Sequence, residues 1–452
     1  MSHSSSKALR IIEDATCLGC DCLCDDITLV VERGRIAEAR NACERGRGWY
    51  AWAQRDEPIW PMIGGKAASL DEALDRAAGV LAAARAPLVL GLGATVEAQR
   101  ITIGIADRIG ATVDPFYPSL TAHTALQRLG SVTATLGEIR DRADVIVFDG
   151  PHWPGSLPRF LERFVDPPGR FVTEGRAGRT VISFAGLEVR SVPEEGWTSP
   201  PDVVFNSTYA NVTIYAILRA LVNGASLDPD RFEESMGEPL LPYLDLAERL
   251  RRARYGVLIH QPETPWMEEA EAVSALVRDL NRSTRFVALA PSSFAQKGAE
   301  AVVAWQTGRA GHVDFALGYP RDVPDLNLIR EVRRGRMDAA LVIGDVDYSS
   351  GFRTDLDALA DIPTVYIGRV TREDDYAGDP AWNPLRDLRR QLFRAEAFLP
   401  TARTGIDAGG TVSRFDGVML PLRPPLPARR PSQAEILRGI DARLVALEDR
   451  GR

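Results

Sequence analysis

Four of the chain's five cysteines fall within eight positions, in "CLGCDCLC" (residues 17–24), and the fifth, Cys43, follows in "NAC". Cys17, Cys20 and Cys24 form C-x2-C-x3-C, and eighteen residues separate Cys24 from Cys43. A [4Fe–4S] cluster takes four thiolates, and a tight loop plus one distant cysteine supplies them. Zinc accepts the same four sulfurs in tetrahedral geometry. Reduced thiols packed as small apolar groups are the third reading. Cys22 fits neither metal pattern and reads as a bystander. The crowding points to metal or redox chemistry more than to a disulfide framework.

Other candidates carry less. In "GLGATVEAQR" (91–100) a glycine turn opens a helix, and its amides could cradle an anion. The spacing is not G-x-G-x-x-G, and such glycines more often only shape a turn. His123, His152, His260 and His312 are far apart, without H-x-x-x-H or H-E-x-x-H pairing. Catalytic zinc and Ser-His-Asp chemistry therefore have no visible support. "PHWPGSLPR" (151–159) follows a buried strand, where open α/β sheets make ligand contacts.

The elements that must position these residues can be read in order. "DITLVVERGRIAEAR" is a hairpin turning at Gly34, and closing it would bring Cys43 beside the first cysteines. "SLDEALDRAAGVLAAARA" is an amphipathic helix with Ser69 as N-cap and Glu72 three residues on. "PLVLGLGA", "TVDP" and "RADVIVFDGP" read as strands, with "TVEAQRITIGIADRIGA" a helix between the first two. "RYGVLIHQP", "TRFVALA", "MDAALVIGDVD" and "DIPTVYIGRV" repeat the grammar, which is that of a parallel α/β sheet. "PLVLGLG…ADVIVFDG" can be laid on "GVLIHQP…MDAALVIGD", which suggests two lobes on one plan. The expected fold class is thus α/β: a small N-terminal β cysteine module (1–60), a first Rossmann-like lobe (61–235), a related second lobe (236–400) and a C-terminal β-rich segment (401–452).

Composition sets the bounds. The chain has 452 residues, 45% hydrophobic and 26% charged, enough for a large core without disulfides. A net charge of −8 gives no electrostatic support to a nucleic-acid partner. The basic residues are nearly all arginine; lysine occurs only at Lys7, Lys66 and Lys297. "MSHSSSKALR" has no apolar h-region and no run reaches the roughly 18–20 residues a bilayer span needs. A cytoplasmic, soluble protein is expected.

Together, "CLGCDCLCDDI", "GRI", "NAC", "GATVEAQ", "ADVIVFDG", "VDFALGYPR" and "GGTVSRFDGVMLPLR" resemble, in order and from about residue 14 to 425, the B subunit of formylmethanofuran dehydrogenase. That subunit belongs to the molybdopterin oxidoreductase superfamily. The resemblance implies a [4Fe–4S] cluster on Cys17, Cys20, Cys24 and Cys43, and a molybdenum or tungsten held by two pterin guanine dinucleotides. It also implies partners: an amidohydrolase-like A subunit, a C subunit and a formyltransferase D subunit. One departure matters. The family places a cysteine or selenocysteine ligand just before the Glu-Ala of "GATVEAQ", and here that residue is Val96. An isopropyl group has no lone pair for a metal. The chain is therefore most similar to the redox-inactive B-type subunit of bacterial formyltransferase/hydrolase complexes, which act in tetrahydromethanopterin-linked one-carbon metabolism, with the molybdenum or tungsten pterin absent. The alternatives are an active dehydrogenase subunit interconverting carbon dioxide and formate, and a small-ligand module using the vacated pterin cleft.

Overall fold

A computed structural model describes residues 9–55, 60–115, 128–150, 153–185, 197–260, 267–324, 326–345, 359–369 and 395–451. The chain opens with three antiparallel strands, β1 (Arg10–Ala15), β2 (Ile27–Glu32) and β3 (Arg35–Arg40). The hairpin between β2 and β3 is the expected one. Arg33 and Gly34 both have positive φ, 52° and 73°, the primed-turn geometry whose twist matches paired strands. Helix α1 (Glu44–Ala53) follows, with Cys43 as its N-cap.

Two short strands come next, β4 (Met62–Ile63) and β5 (Lys66–Ala67). Helix α2 (Leu70–Ala83) carries the expected capping box: the Ser69 hydroxyl accepts the Glu72 N–H, and the Glu72 carboxylate accepts the Ser69 N–H. Strand β6 (Pro87–Leu90), helix α3 (Val96–Ile109) and strand β7 (Thr112–Asp114) make a βαβ unit. Helix α4 (Leu136–Arg142) leads into β8 (Val145–Phe148), β9 (Thr180–Ala185) and β10 (Val203–Asn206). Helices α5 (Asn211–Val222) and α6 (Leu241–Arg252) precede β11 (Gly256–Ile259), α7 (Met267–Leu280) and β12 (Phe286–Leu289).

After α8 (Phe294–Thr307) come β13 (Val313–Asp314), β14 (Arg321–Asp322), β15 (Ala339–Asp345), β16 (Thr364–Arg369) and β17 (Ala397–Pro400). A hairpin of β18 (Gly410–Ser413) and β19 (Met419–Leu422), then helix α9 (Gln433–Gly451), complete the described chain.

The strands form two principal sheets that are nested along the chain. One has nine strands in the order β14-β13-β7-β6-β15-β16-β17-β4-β5; the other has five, β10-β9-β8-β11-β12, all parallel. This corrects the expected lobes at 61–235 and 236–400. The strands of the five-stranded sheet lie between Val145 and Leu289, inserted between β7 and β13 of the larger sheet. β6 pairs directly with β15, and β8 with β11. Each sheet thus takes strands from both expected lobes, and the segments that looked like counterparts, β6 with β11 and β8 with β15, lie in different sheets. The reason is physical. A four-residue apolar strand buried on both faces shows that it is a strand, but carries no mark of its partner.

Strand alternation divides the core. In β6, Val89 faces the cluster formed with α2, α3 and α9, while Leu88 and Leu90 face the opposite layer with Phe398 and Tyr366. In the smaller sheet, Val145 and Val147 pack against α5, α6 and α7. Ile146, Phe148, Val257 and Ile259 pack instead on the N-terminal module, in the cluster that contains Cys17, Cys22 and Cys24. No helix among the described residues is long and apolar enough to cross a membrane.

Candidate functional site

Three places collect the residues with chemical potential. The first is the cysteine loop. The Cys17 N–H donates to the Cys24 carbonyl at 2.8 Å, which folds residues 17–24 back on themselves. Leu23 sits inside this loop at φ 42°, a left-handed conformation that costs a side-chain-bearing residue about 1 kcal/mol. Packing holds it there: Leu23 is buried against Val412, Leu420 and Leu422 of the C-terminal hairpin. Cys43 arrives as expected. A Cβ at Gly46 would lie 3.1 Å from the Cys17 sulfur and 3.7 Å from the Cys43 sulfur. The Gly19 N–H donates to the Cys17 sulfur, and the Gly46 N–H to the Cys43 sulfur, each at 3.4 Å.

Cys22, which reads from sequence as a bystander, is fully buried and central. Its thiol hydrogen-bonds with both Cys20 and Cys24 and is pushed well up by those bonds and by burial. The Cys22 bond lowers Cys20, and brings Cys24 to about 7 together with the nearby Arg163 and Arg159, against the effect of burial. Burial pushes Cys17 up to about 12. The donor set therefore suits a thiolate-bound metal in kind. Among the described residues, no three His, Cys, Asp or Glu side chains are grouped as they stand to hold one ion.

Arginines that the sequence did not single out brace this loop. Arg159 grips Asp26 with two bonds of 2.8 Å and also bonds Glu162, and Arg163 bonds Asp25 at 2.7 Å. Arg159 and Arg163 belong to the stretch after β8, so "CDDI" is fastened to the five-stranded lobe. Nothing in "PRFLERF" marks them apart from the many other arginines.

The second place is the turn after β6. Val96 is the first residue of α3, with Thr95 as N-cap. It lies at the carboxyl end of β6, where the chain goes to β7 on one side while β15 adds on the other. Such a reversal is where open α/β sheets bind ligands. The expected anion cradle is largely taken up by the protein itself. The Gly91 N–H donates to the Asp114 carbonyl and the Ala94 N–H to the Gln433 side chain, both at 2.8 Å. The Ala98 N–H goes to the Thr95 hydroxyl. Gly91 is there for close approach: a Cβ would strike the Ile343 carbonyl at 2.3 Å. Glu97 is bound by the Thr411 N–H at 2.9 Å and hydroxyl at 2.8 Å. Burial opposes its charge, but those bonds outweigh it and hold the carboxyl below its usual range. The C-terminal hairpin and α9 thus close over the turn.

The third place is the corresponding reversal in the smaller sheet, between β8 and β11. Asp149 accepts bonds from Trp153 Nε1 at 2.9 Å and the Tyr215 hydroxyl at 3.1 Å. Burial, with the Asp149 charge adding, pushes half-buried Glu269 from 4.5 to about 7. A raised carboxyl holds its proton in the folded state while the unfolded chain has released it. Stability should therefore fall as pH rises from about 4.5 to 7. Glu269→Gln should remove about 1 kcal/mol of that fall, solvent screening having reduced the full effect. Urea midpoints at pH 5 and 8 measure it; equal pH sensitivity in the two proteins would refute it.

Among the described residues, the histidines do not join a group that could hold a metal ion. His260 follows β11, its N–H bonded to the Leu289 carbonyl, and His312 lies 3.4 Å from Asp114. His123 and His152 lie outside the described residues.

No family model matches the chain. Individual relatives do. It is 34% identical over 285 residues to the B subunit of the formyltransferase/hydrolase complex Fhc of Methylorubrum extorquens, covering 62% of this chain and 73% of that one. The chain belongs to the family of B-type subunits of these complexes. Formylmethanofuran dehydrogenase is represented too. The B subunit of the tungsten-containing formylmethanofuran dehydrogenase 2 of Methanocaldococcus jannaschii is 28% identical over 437 residues, 92% of this chain and 94% of that one. In three dimensions the chain is similar to the crystal structure of the formyltransferase/hydrolase complex from Methylorubrum extorquens with methylofuran. The TM-score is 0.67 at 27% identity, covering 86% of this chain and 99% of that one. Acetylene hydratase from Pelobacter acetylenicus, at 12% identity and a TM-score of 0.59 over 97% of this chain and 70% of its own, shares the fold.

Proposed function

We propose that this chain is the B-type subunit of a cytoplasmic formyltransferase/hydrolase complex that takes a formyl group to formate in tetrahydromethanopterin-linked one-carbon metabolism. Its role is that of a scaffold with no redox chemistry of its own. Its partners are an amidohydrolase-like A subunit that hydrolyses the formyl group, a C subunit and a formyltransferase D subunit. It has no nucleic-acid or membrane partner.

The observation that carries this reading is Val96 in the first turn of α3, at the reversal of the larger sheet. A redox subunit needs a metal there, and Val96 offers no donor. All five cysteines lie between residues 17 and 43, so none elsewhere replaces it. The turn is also roofed by the protein's own Thr411 and Gln433. The molybdenum or tungsten pterin is accordingly proposed to be absent. Cys17, Cys20, Cys24 and Cys43 are the proposed ligands of any [4Fe–4S] cluster the chain carries, and no step of the proposed function runs through it.

The test is co-expression with the A, C and D subunits, anaerobic purification, and joint analysis of Fe, Mo, W and Zn alongside two assays. The four chains should co-purify with formyl-hydrolysing activity, without Mo or W and without viologen-linked formate oxidation. Mo or W near one per chain, or viologen-linked turnover, would overturn the reading in favour of a dehydrogenase subunit interconverting carbon dioxide and formate.

A further inference from the structure

A cavity of about 400 Å³ lies where the N-terminal module, the carboxyl end of β16 and the C-terminal segment meet. It is within the size range of small-ligand sites. Among the described residues, four arginines from four separate stretches line it. Arg35 opens β3, Arg55 follows α1, Arg369 ends β16, and Arg429 lies in the Pro-rich segment. The one lining carboxylate among them, Asp407, is already bonded by the Arg403 N–H. In a chain of net charge −8 this is a local reversal of sign.

The walls are built rather than incidental. Gln54 binds β3 twice, its carbonyl accepting the Ile36 N–H at 2.7 Å and its amide donating to the Ile36 carbonyl at 2.9 Å. Arg403 donates to the Trp52 and Ala53 carbonyls and stacks over the Trp52 ring at 4.4 Å, which fixes the end of α1 against the C-terminal segment. Arg369 is only 8% exposed. A guanidinium that deep, at the carboxyl end of a parallel strand, stands where such sheets meet their ligands. Protein groups also engage Arg55, Arg369 and Arg429. Planar guanidiniums facing one space suit an anion able to accept several paired bonds.

We infer that this cavity binds a small polyanion bearing at least two phosphate or carboxylate groups. Neither the turn at 91–97 nor any cysteine lines it, so the inference does not depend on the proposed function.

Isothermal titration of the full-length chain with inorganic pyrophosphate and, separately, with citrate tests it. Binding near one per chain is expected for at least one probe; preference for pyrophosphate marks a phosphate ligand, preference for citrate a carboxylate one. Arg35 and Arg429 are exposed, so Arg35→Gln and Arg429→Gln should fold normally, which their melting curves will check. Each should weaken binding roughly tenfold or more, the usual cost of losing a charge-assisted bond. Arg252→Gln, on the exposed face of α6, should leave it unchanged. Absence of binding by both probes, or equal weakening by Arg252→Gln, would overturn the inference.

Discussion

Asp416→Ala should destabilise the region joining the C-terminal hairpin to α4 by about 3–5 kcal/mol. The Asp416 side chain is fully buried and Arg414 is 8% exposed beside it. Arg414 donates two bonds to the carboxylate, at 2.9 and 2.8 Å. The same carboxylate accepts the Leu136 N–H at 2.7 Å, in the first turn of α4, and the Val418 N–H at 3.2 Å. Removing it leaves a buried guanidinium without a counter-charge and two amides without acceptors. Asp416→Asn keeps an acceptor and loses the charge, so its cost should be intermediate. Arg414→Met in the Asp416→Ala background should recover part of the loss, because it removes the uncompensated charge. Urea unfolding followed by hydrogen exchange in α4 and the hairpin measures these effects. A loss below about 1 kcal/mol for Asp416→Ala would mean the pair does not hold the hairpin.

Arg159→Leu should cost about 2–3 kcal/mol, less than a fully buried pair because Asp26 is 38% exposed while Arg159 is 9% exposed. It should also free the cysteine loop, since Arg159 ties Asp26 to the smaller lobe two residues beyond Cys24. Alkylation of Cys22 and Cys24, read by mass spectrometry under reducing conditions, should quicken relative to the Arg252→Gln control. The pH dependence has a definite sign. Burial works against the Asp26 charge, but Arg159 and Arg163 hold its carboxyl below the ordinary 3.8. Its contribution is therefore complete above that value and is lost as pH falls through the lowered one. The wild type should lose this stability on acidification below pH 3.8, whereas Arg159→Leu, which keeps only the Arg163 part of it, should be less acid-sensitive. Unchanged thiol reactivity would show that Cys22 and Cys24 are shielded without Arg159.

Much of this is legible in the sequence wherever the signal is local. The Arg33–Gly34 turn, the Ser69–Glu72 box and the approach of Cys43 to Cys17 follow from chemistry within a few residues or from closing one hairpin. The family resemblance is also legible, because its motifs keep their order along the chain. Pairing across distance is not. Leu88–Leu90 and Val145–Phe148 are equally apolar and equally buried on both faces, and neither carries a local mark that one joins Ala339–Asp345 and the other Gly256–Ile259. Cys22 escapes a reading by spacing because its complete burial at the centre of the loop is a matter of loop shape and not of ligand intervals. Strands β9 and β10 also escape it; β10 is a short outer strand of its sheet, with Val204 exposed and only Phe205 buried. Arg159 and Asp416 are visible as residues, but not as one end of an ion pair.

The nesting of the two sheets also bears on how the protein is made. A ribosome releases the whole of the inner lobe, Val145 to Leu289, as one uninterrupted stretch that can close its parallel sheet during synthesis. The outer sheet cannot. At about 5–20 residues per second, β6 and β7 wait tens of seconds for β15 to emerge and cover the open side of β6. During that interval the apolar edge that later becomes the centre of the larger sheet faces solvent. Chains cut short before residue 339 would carry that exposed edge permanently, and aggregation is the fate to expect for them.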